Sequence, residues 1–144
     1  MKKINKNKKQ EISELNQFFE NMEKSLFTEY SEKDFVVAQF LMTATSPPVE
    51  IICYHCQQSA EKILKAFLIK NDFIPSRTHD LNLLVNECTK LDDSISILKK
   101  ECNRLNDFGV NTRYPNNLDL ILEDAKIALK DAEKIKEYIL SRIS

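Results

Sequence analysis

The sequence predicts an all-α protein: an antiparallel up-and-down bundle of four to five main helices, with an extra amphipathic helix at its N-terminus. Three observations carry that prediction. Glycine occurs once and proline four times among 144 residues, while Leu, Ile, Lys, Glu and Ala abound, a composition suited to helices joined by short connections. Apolar residues recur at three- and four-residue steps through most of the chain. No stretch alternates apolar and polar residues as a half-buried strand would. One domain is expected at this length, burying about two-thirds of the surface its unfolded form exposes. Folding then requires neither disulfides nor a metal.

Residues 1–10 carry Lys2, Lys3, Lys6, Lys8 and Lys9 and are expected to form a disordered basic tail. Residues 11–144 form a single helical domain in this reading. From Ile12, the positions Leu15, Phe18, Phe19, Met22 and Leu26 follow helical spacing, predicting a first amphipathic helix over residues 12–27. Ser31, with Asp34 three residues on, is a candidate N-cap in a shortened capping box. It would open a second helix through Phe35, Val36, Ala38 and Met42. That helix stops ahead of Thr45-Ser46-Pro47-Pro48, because the residue before a proline is pushed out of the α region.

A third helix begins near Val49. Ile52, Cys56, Ala60, Ile63 and Phe67 share one face, widened by Leu64 and Leu68. Polar residues interrupt this apolar pattern: Gln57, Glu61 and Lys65 run along one flank, with Gln58 and Lys62 beside them. Glu61 and Lys65 form a favourably ordered i, i+4 pair. Asn71-Asp72 and Pro75 end the helix. Thr78 or Asp80 caps the next, which carries Leu81, Leu84, Val85 and Cys88. After a break at Leu91-Asp92-Asp93-Ser94, the residues Ile95, Leu98, Cys102, Leu105 and Phe108 keep helical spacing. Gly109 follows where a left-handed C-cap glycine is expected. Residues 109–117 form a loop, and the last helix spans about Leu118 to Ile143. Its stripe of Ala125, Ala128, Ala132, Ile135 and Ile139 implies close helix–helix approach.

The net charge is −1, so there is no global attraction for nucleic acid; the basic tail is read as a solvated segment, with weak, salt-sensitive phosphate affinity as its alternative role. No apolar stretch is long enough to span a bilayer, and no secretory signal is evident; a cytoplasmic protein without membrane contact is expected. Cys53, Cys56, Cys88 and Cys102 are expected to be small buried core residues. The Cys53–Cys56 pair lies beyond the first helical turn, where the helix dipole would lower a thiol pKa, and Gln57 stands where a haem motif requires histidine. No Gly-rich phosphate loop or paired-histidine metal motif is present. His55 is expected to pack beside Tyr54. His79 lies in a loop at a helix start, as a cap or a site residue. Arg113, next to Tyr114-Pro115, presents a planar donor fork beside an aromatic ring, suited to phosphate, carboxylate or a stacked base, or to an acidic helix flank.

Taken in order, these segments resemble the HEPN family, the nucleotide-binding domain of higher eukaryotes and prokaryotes. The resemblance begins with Ser31-Glu32-Lys33-Asp34-Phe35-Val36-Val37-Ala38. It continues through Cys56-Gln57-Gln58-Ser59-Ala60-Glu61-Lys62, then Thr78-His79-Asp80-Leu81, Arg113-Tyr114-Pro115, Glu123-Asp124-Ala125 and Ala132-Glu133. It covers about residues 30–143 and implies a helical bundle, often homodimeric. Many members of the family are encoded or fused with minimal nucleotidyltransferases and act in toxin–antitoxin or defence systems. Many others are metal-independent ribonucleases, marked by an arginine followed four to six residues later by a histidine. This sequence departs from that signature. Arg77 is only two residues before His79, and no histidine follows Arg104, Arg113 or Arg142.

Carried over from the resemblance, the candidate ligand-binding residues are Gln57, Gln58, Glu61, Lys62, Lys65, His79, Asp80, Arg113 and Tyr114. They would bind a nucleotide or a partner, or hold a polar junction of the bundle. No catalytic residue, metal ligand or cofactor is assigned. The expected function is a non-catalytic, dimer-forming module engaging nucleotide, RNA or a cognate nucleotidyltransferase. One alternative is a divergent ribonuclease using His79 with Arg113 or Arg77. Another is an interaction scaffold in which residues 12–27 complete a homodimer or cover the bundle.

Overall fold

The computed structural model describes residues 6–109 and 119–143. Every regular element among them is helical: α1 (Lys6–Leu41), α2 (Val49–Lys70), α3 (Leu81–Leu91), a 3₁₀ segment (Asp93–Leu98), α4 (Lys99–Asn106) and α5 (Leu122–Ile143). The up-and-down bundle is organised around α2, which packs against α1, α3, α4 and α5. Its stripe of Ile52, Cys56, Ala60, Ile63, Leu64 and Leu68 has no exposed surface. Ala125, Ala128 and Ala132 on α5 are buried as well. Small side chains here let α5 approach α2 closely, as their spacing predicts.

The two N-terminal helices expected from the sequence are one continuous helix of 36 residues. Ser31 is not an N-cap. No glycine or proline stands near it to break the helix, and its hydroxyl is engaged elsewhere, donating to Ser59 O at 2.7 Å. Ser59 Oγ donates back to Ser31 O at 2.8 Å. This reciprocal pair fixes the contact between α1 and α2. Helix α1 begins at Lys6, so Lys6, Lys8 and Lys9 of the expected basic tail are helical.

Other boundaries follow local chemistry. Helix α2 ends at Asn71, and Asp72 takes a left-handed φ of 59°. Phe73 N then donates back to Leu68 O at 2.9 Å, closing a Schellman-like turn without glycine. Asp80 caps α3, accepting from Asn82 N at 2.9 Å and Leu83 N at 3.3 Å. Asp92 turns the chain into the 3₁₀ segment, accepting from Ser94 N at 3.0 Å. Helix α5 starts at Leu122, four residues later than its apolar pattern suggests. Asp124 accepts from Ile121 N at 2.9 Å there, satisfying a donor at the helix entry. The Arg104 guanidinium forks onto the buried Asp131 carboxylate at 2.8 and 2.6 Å, tying α4 to α5.

Gly109 does not adopt the expected left-handed conformation. Close approach is its reason for being glycine: a Cβ there would meet Gln57 Cδ and Nε2 at 3.0 Å.

All four cysteines are buried free thiols. Burial pushes the Cys53 and Cys102 thiols up to about 12 and raises those of Cys56 and Cys88 as well. A thiol reagent at pH 8 is therefore expected to leave the folded protein unmodified and to label all four cysteines in guanidinium. Rapid labelling of the native protein would contradict this burial. Their linkage has a definite sign. The native thiols stay protonated above the ordinary value of 9.0, while the unfolded chain ionises, so these groups lower stability as pH rises above it.

Candidate functional site

Two polar junctions and one open cleft account for seven of the nine candidate residues. The first junction joins α2 to the loop before α3. Gln57 has no exposed surface. Its Nε2 donates to His79 O at 3.0 Å, and its Oε1 accepts from Gln58 Nε2 at 2.7 Å. Gly109, three residues past the end of α4, lies close against Gln57. Glu61 is buried beside it. One carboxylate oxygen meets His79 Nδ1 at 2.8 Å, and the other meets Lys65 Nζ at 3.3 Å. Asp80 completes the junction as the α3 cap and also accepts from Asn106 Nδ2 at 3.1 Å. Asn106 Oδ1 in turn accepts from Leu81 N at 2.8 Å. Gln57 and Asp80 thus hold α2, the loop before α3 and the start of α3 together. His79 differs: its Nδ1 is held by a buried carboxylate while the side chain stays 67% exposed.

The second junction was not legible in the sequence. Asp34 on α1 receives Lys62 Nζ on one oxygen and faces His55 Nδ1 at 2.9 Å on the other. His55 still lies edge-on to Tyr54, with ring centroids 5.5 Å apart. Its partner is set by how α1 lies across α2, and neither helix alone reveals that.

Between these junctions opens a cleft of about 490 Å³ lined by α1, α2 and the loop after α2. Leu26, Phe27, Ile69 and Pro75 form its apolar wall, while Lys62, Lys65, Arg77 and Tyr30 supply the polar contacts. The volume and the mixed lining suit a small ligand. Lys62 and Lys65 each already face a carboxylate, whereas Arg77 has no side-chain partner among the described residues. Tyr30 is half exposed, and Lys62 Nζ lies 5.9 Å from its ring centroid. Ser76 Oγ donates to Glu87 Oε1 at 2.6 Å, which steadies the loop carrying Arg77. Through Glu61, Lys65 also connects the cleft to His79. Tyr30 was missed as a site residue because on the helical wheel it reads as one more apolar position of α1. Arg113 and Tyr114 lie outside the described residues.

No group of three or more His, Cys, Asp or Glu side chains among the described residues is placed to hold a metal. No described helix is long and apolar enough to cross a membrane.

Residues 22–143 match the family model described as the HEPN domain. The chain belongs to the HEPN family. A relative from Methanocaldococcus jannaschii, named "Putative toxin MJ1304", is 33% identical over 131 residues, covering 79% of this chain and 84% of the relative. The crystal structure of ST0689, an archaeal HEPN homologue, superposes with a TM-score of 0.66 at 20% identity, covering 84% of this chain and 98% of that one. At that identity the structural likeness speaks for the HEPN fold alone. The family match begins at Asn21's neighbour Met22, within α1, so the first half of that helix precedes the HEPN core of this chain.

Proposed function

We propose that this HEPN protein is a non-catalytic module that binds a nucleotide, or the phosphates of RNA, in the cleft between α1 and α2. Its setting in this reading is a toxin–antitoxin or defence system with a minimal nucleotidyltransferase as cognate partner. The observation that carries the binding role is the cleft itself, where Lys62, Lys65 and Arg77 stand around an apolar wall beside the half-exposed Tyr30 ring. Cations meet phosphate and an aromatic face accepts a base, a combination that tolerates many sequences. The name of the archaeal relative supports the toxin setting. The nucleotidyltransferase partner rests on the family resemblance. Arg113 and Tyr114 remain proposed as a further phosphate clamp and stacking ring.

Titration with AMP, ATP and short single-stranded RNA tests this reading. Arg77→Ala and Lys65→Ala are each expected to weaken binding about tenfold, the worth of a charge-assisted hydrogen bond. For RNA, the slope of log affinity against log salt should fall by about 0.7 for each cation removed. An absence of binding to every probe would overturn the ligand role.

A second reading has one specific observation behind it. The exposed His79 ring, oriented through Nδ1 by buried Glu61, resembles an acid–base histidine held by a carboxylate. A divergent ribonuclease built on it, with Arg77 or Arg113 steadying phosphate charge, would cleave RNA in the presence of a chelator. His79→Ala would stop that cleavage. RNA left intact by wild-type protein would remove this reading without touching the binding one.

A further inference from the structure

Ile12, Leu15, Phe18 and Phe19 on α1 are exposed, so the expectation that this half of the helix covers its own bundle does not hold. From Glu23 onward α1 walls the cleft. It runs antiparallel to α2 there: Ser31 bonds Ser59, and further out Glu23 and Ile69 share one end of the cleft. The two ends differ in chemistry as a result. At one, Tyr30 faces Lys62, whose Nζ lies 5.9 Å from the ring centroid. At the other, Glu23 stands with Ile69 and Pro75, where a smaller hollow of about 60 Å³ reaches Asp72. Tyr30 and Glu23 lie two turns apart, about 10 Å along the helix. Lys65 sits between the ends, one turn from Ile69. The loop after α2 returns along that helix, from Pro75 beside Ile69 to His79 on Glu61. It therefore brings Arg77 to the middle of the cleft.

Charge decides what this order can hold. Lys62 is paired with Asp34, and Lys65 with Glu61, which His79 shares. Lys33, 5.0 Å from the Tyr30 ring centroid, is paired with Glu29. Lys70 donates to Arg142 O, and Lys24 is outside the cleft lining. Arg77 is thus the one lining cation without a carboxylate partner among the described residues. Glu23, the one carboxylate of the lining, has no cationic partner among them. The cleft therefore offers charge for one phosphate and not for several. With a base on Tyr30, the phosphate reaches Arg77 and Lys65. Whatever lies beyond that phosphate points towards Glu23 and Asp72. A second phosphate there meets negative charge at close range, whereas a ribose hydroxyl can donate to the Glu23 carboxylate.

We propose that the cleft selects nucleotides carrying a single phosphate, free or as an internal linkage of RNA, and that Glu23 excludes polyphosphates. This selectivity rests on the nucleotide-binding reading above and names its ligand class.

Calorimetric titration of the full chain with AMP, ADP, ATP and the dinucleotide ApA tests it, at constant ionic strength with a chelator present. Chelation keeps divalent cations from masking the phosphate charge. The tighter of AMP and ApA should exceed ATP about tenfold, the order of one unfavourable charge pair, with ADP between them. ApA binding as well as AMP brings RNA linkages into the class, and AMP binding alone confines it to free nucleotides. Glu23→Gln should tighten ATP and narrow its gap to the best ligand to less than about threefold. Glu23 is exposed, so this variant should fold as the wild type does. ATP binding as tightly as AMP and ApA overturns the selectivity and leaves the binding reading standing. A preference that Glu23→Gln leaves unchanged overturns the role of Glu23. Silence from all four probes overturns the binding reading itself, and this selectivity with it.

Discussion

Ser31→Leu is expected to destabilise the protein by about 2–4 kcal/mol, combining overpacking with a lost hydrogen bond. Ser31 and Ser59 have no exposed surface and exchange hydroxyl-to-carbonyl bonds at 2.7 and 2.8 Å where α1 packs on α2. A serine hydroxyl is short. For each to reach the opposite backbone carbonyl, the two helices must lie close, and little room remains for a larger side chain. Leucine would have to push α1 away from α2 or leave its rotamer minimum. It would also carry off Asp34, which lies one turn further along α1 and receives Lys62 and faces His55. Ser31→Ala removes one hydrogen bond and adds no bulk, so it should cost only about 1 kcal/mol. Urea unfolding of the two variants separates these effects. The leucine variant should move the midpoint at least twice as far at an unchanged slope. Equal midpoints would mean that the contact accommodates bulk and that the close-approach account is wrong.

Gly109→Ala should cost about 1–2 kcal/mol, and the cost should depend on Gln57. The new methyl would sit 3.0 Å from Gln57 Cδ and Nε2. An exposed glutamine would swing aside at little cost. Gln57 is fully buried, donates to His79 O and accepts from Gln58. Moving it sacrifices those bonds or shifts the end of α4. In a Gln57→Ala background the obstruction is gone, and alanine at 109 should be tolerated. A double-mutant cycle should therefore show a coupling of about 1 kcal/mol between the two positions. Strictly additive costs would locate the need for glycine elsewhere, in the backbone rather than in the contact.

These two sites also mark where sequence reasoning stopped. Ser31 looked like a cap because serine followed three residues later by an acid often is one. Only the neighbouring helix, whose Ser59 takes the hydroxyl, decides otherwise. Gly109 looked like a left-handed C-cap for a similar local reason. The observed need is steric and comes from a residue 52 positions earlier in the chain (109 minus 57). Local rules did succeed where the deciding partner is local. Asp80 caps α3, the prolines after Ser46 follow the end of α1, and Asn71 ends α2.

The candidate residues divide along the same line. The cluster Gln57-Gln58-Glu61-Lys62-Lys65 stood out as polar groups within an apolar helix. Their helical spacing could not say that Gln57 and Glu61 turn inward to His79 while Lys62 crosses to Asp34. Nor could it bring Tyr30 and Arg77 to the same cleft, since they are 47 residues apart (77 minus 30).

By itself, the sequence determined the helical class, the burial of the four cysteines, the family and the central place of the α2 stripe. Each follows from periodicity, composition or an ordered set of short motifs, and these act over a few turns of one helix. Tertiary structure decided which polar residues are structural and which face a cleft. It also decided that α1 is one helix whose apolar first half lies outside the bundle. The physical reason is that hydrogen-bond partners, close approaches and exposure are set between helices, by residues that chain order does not pair.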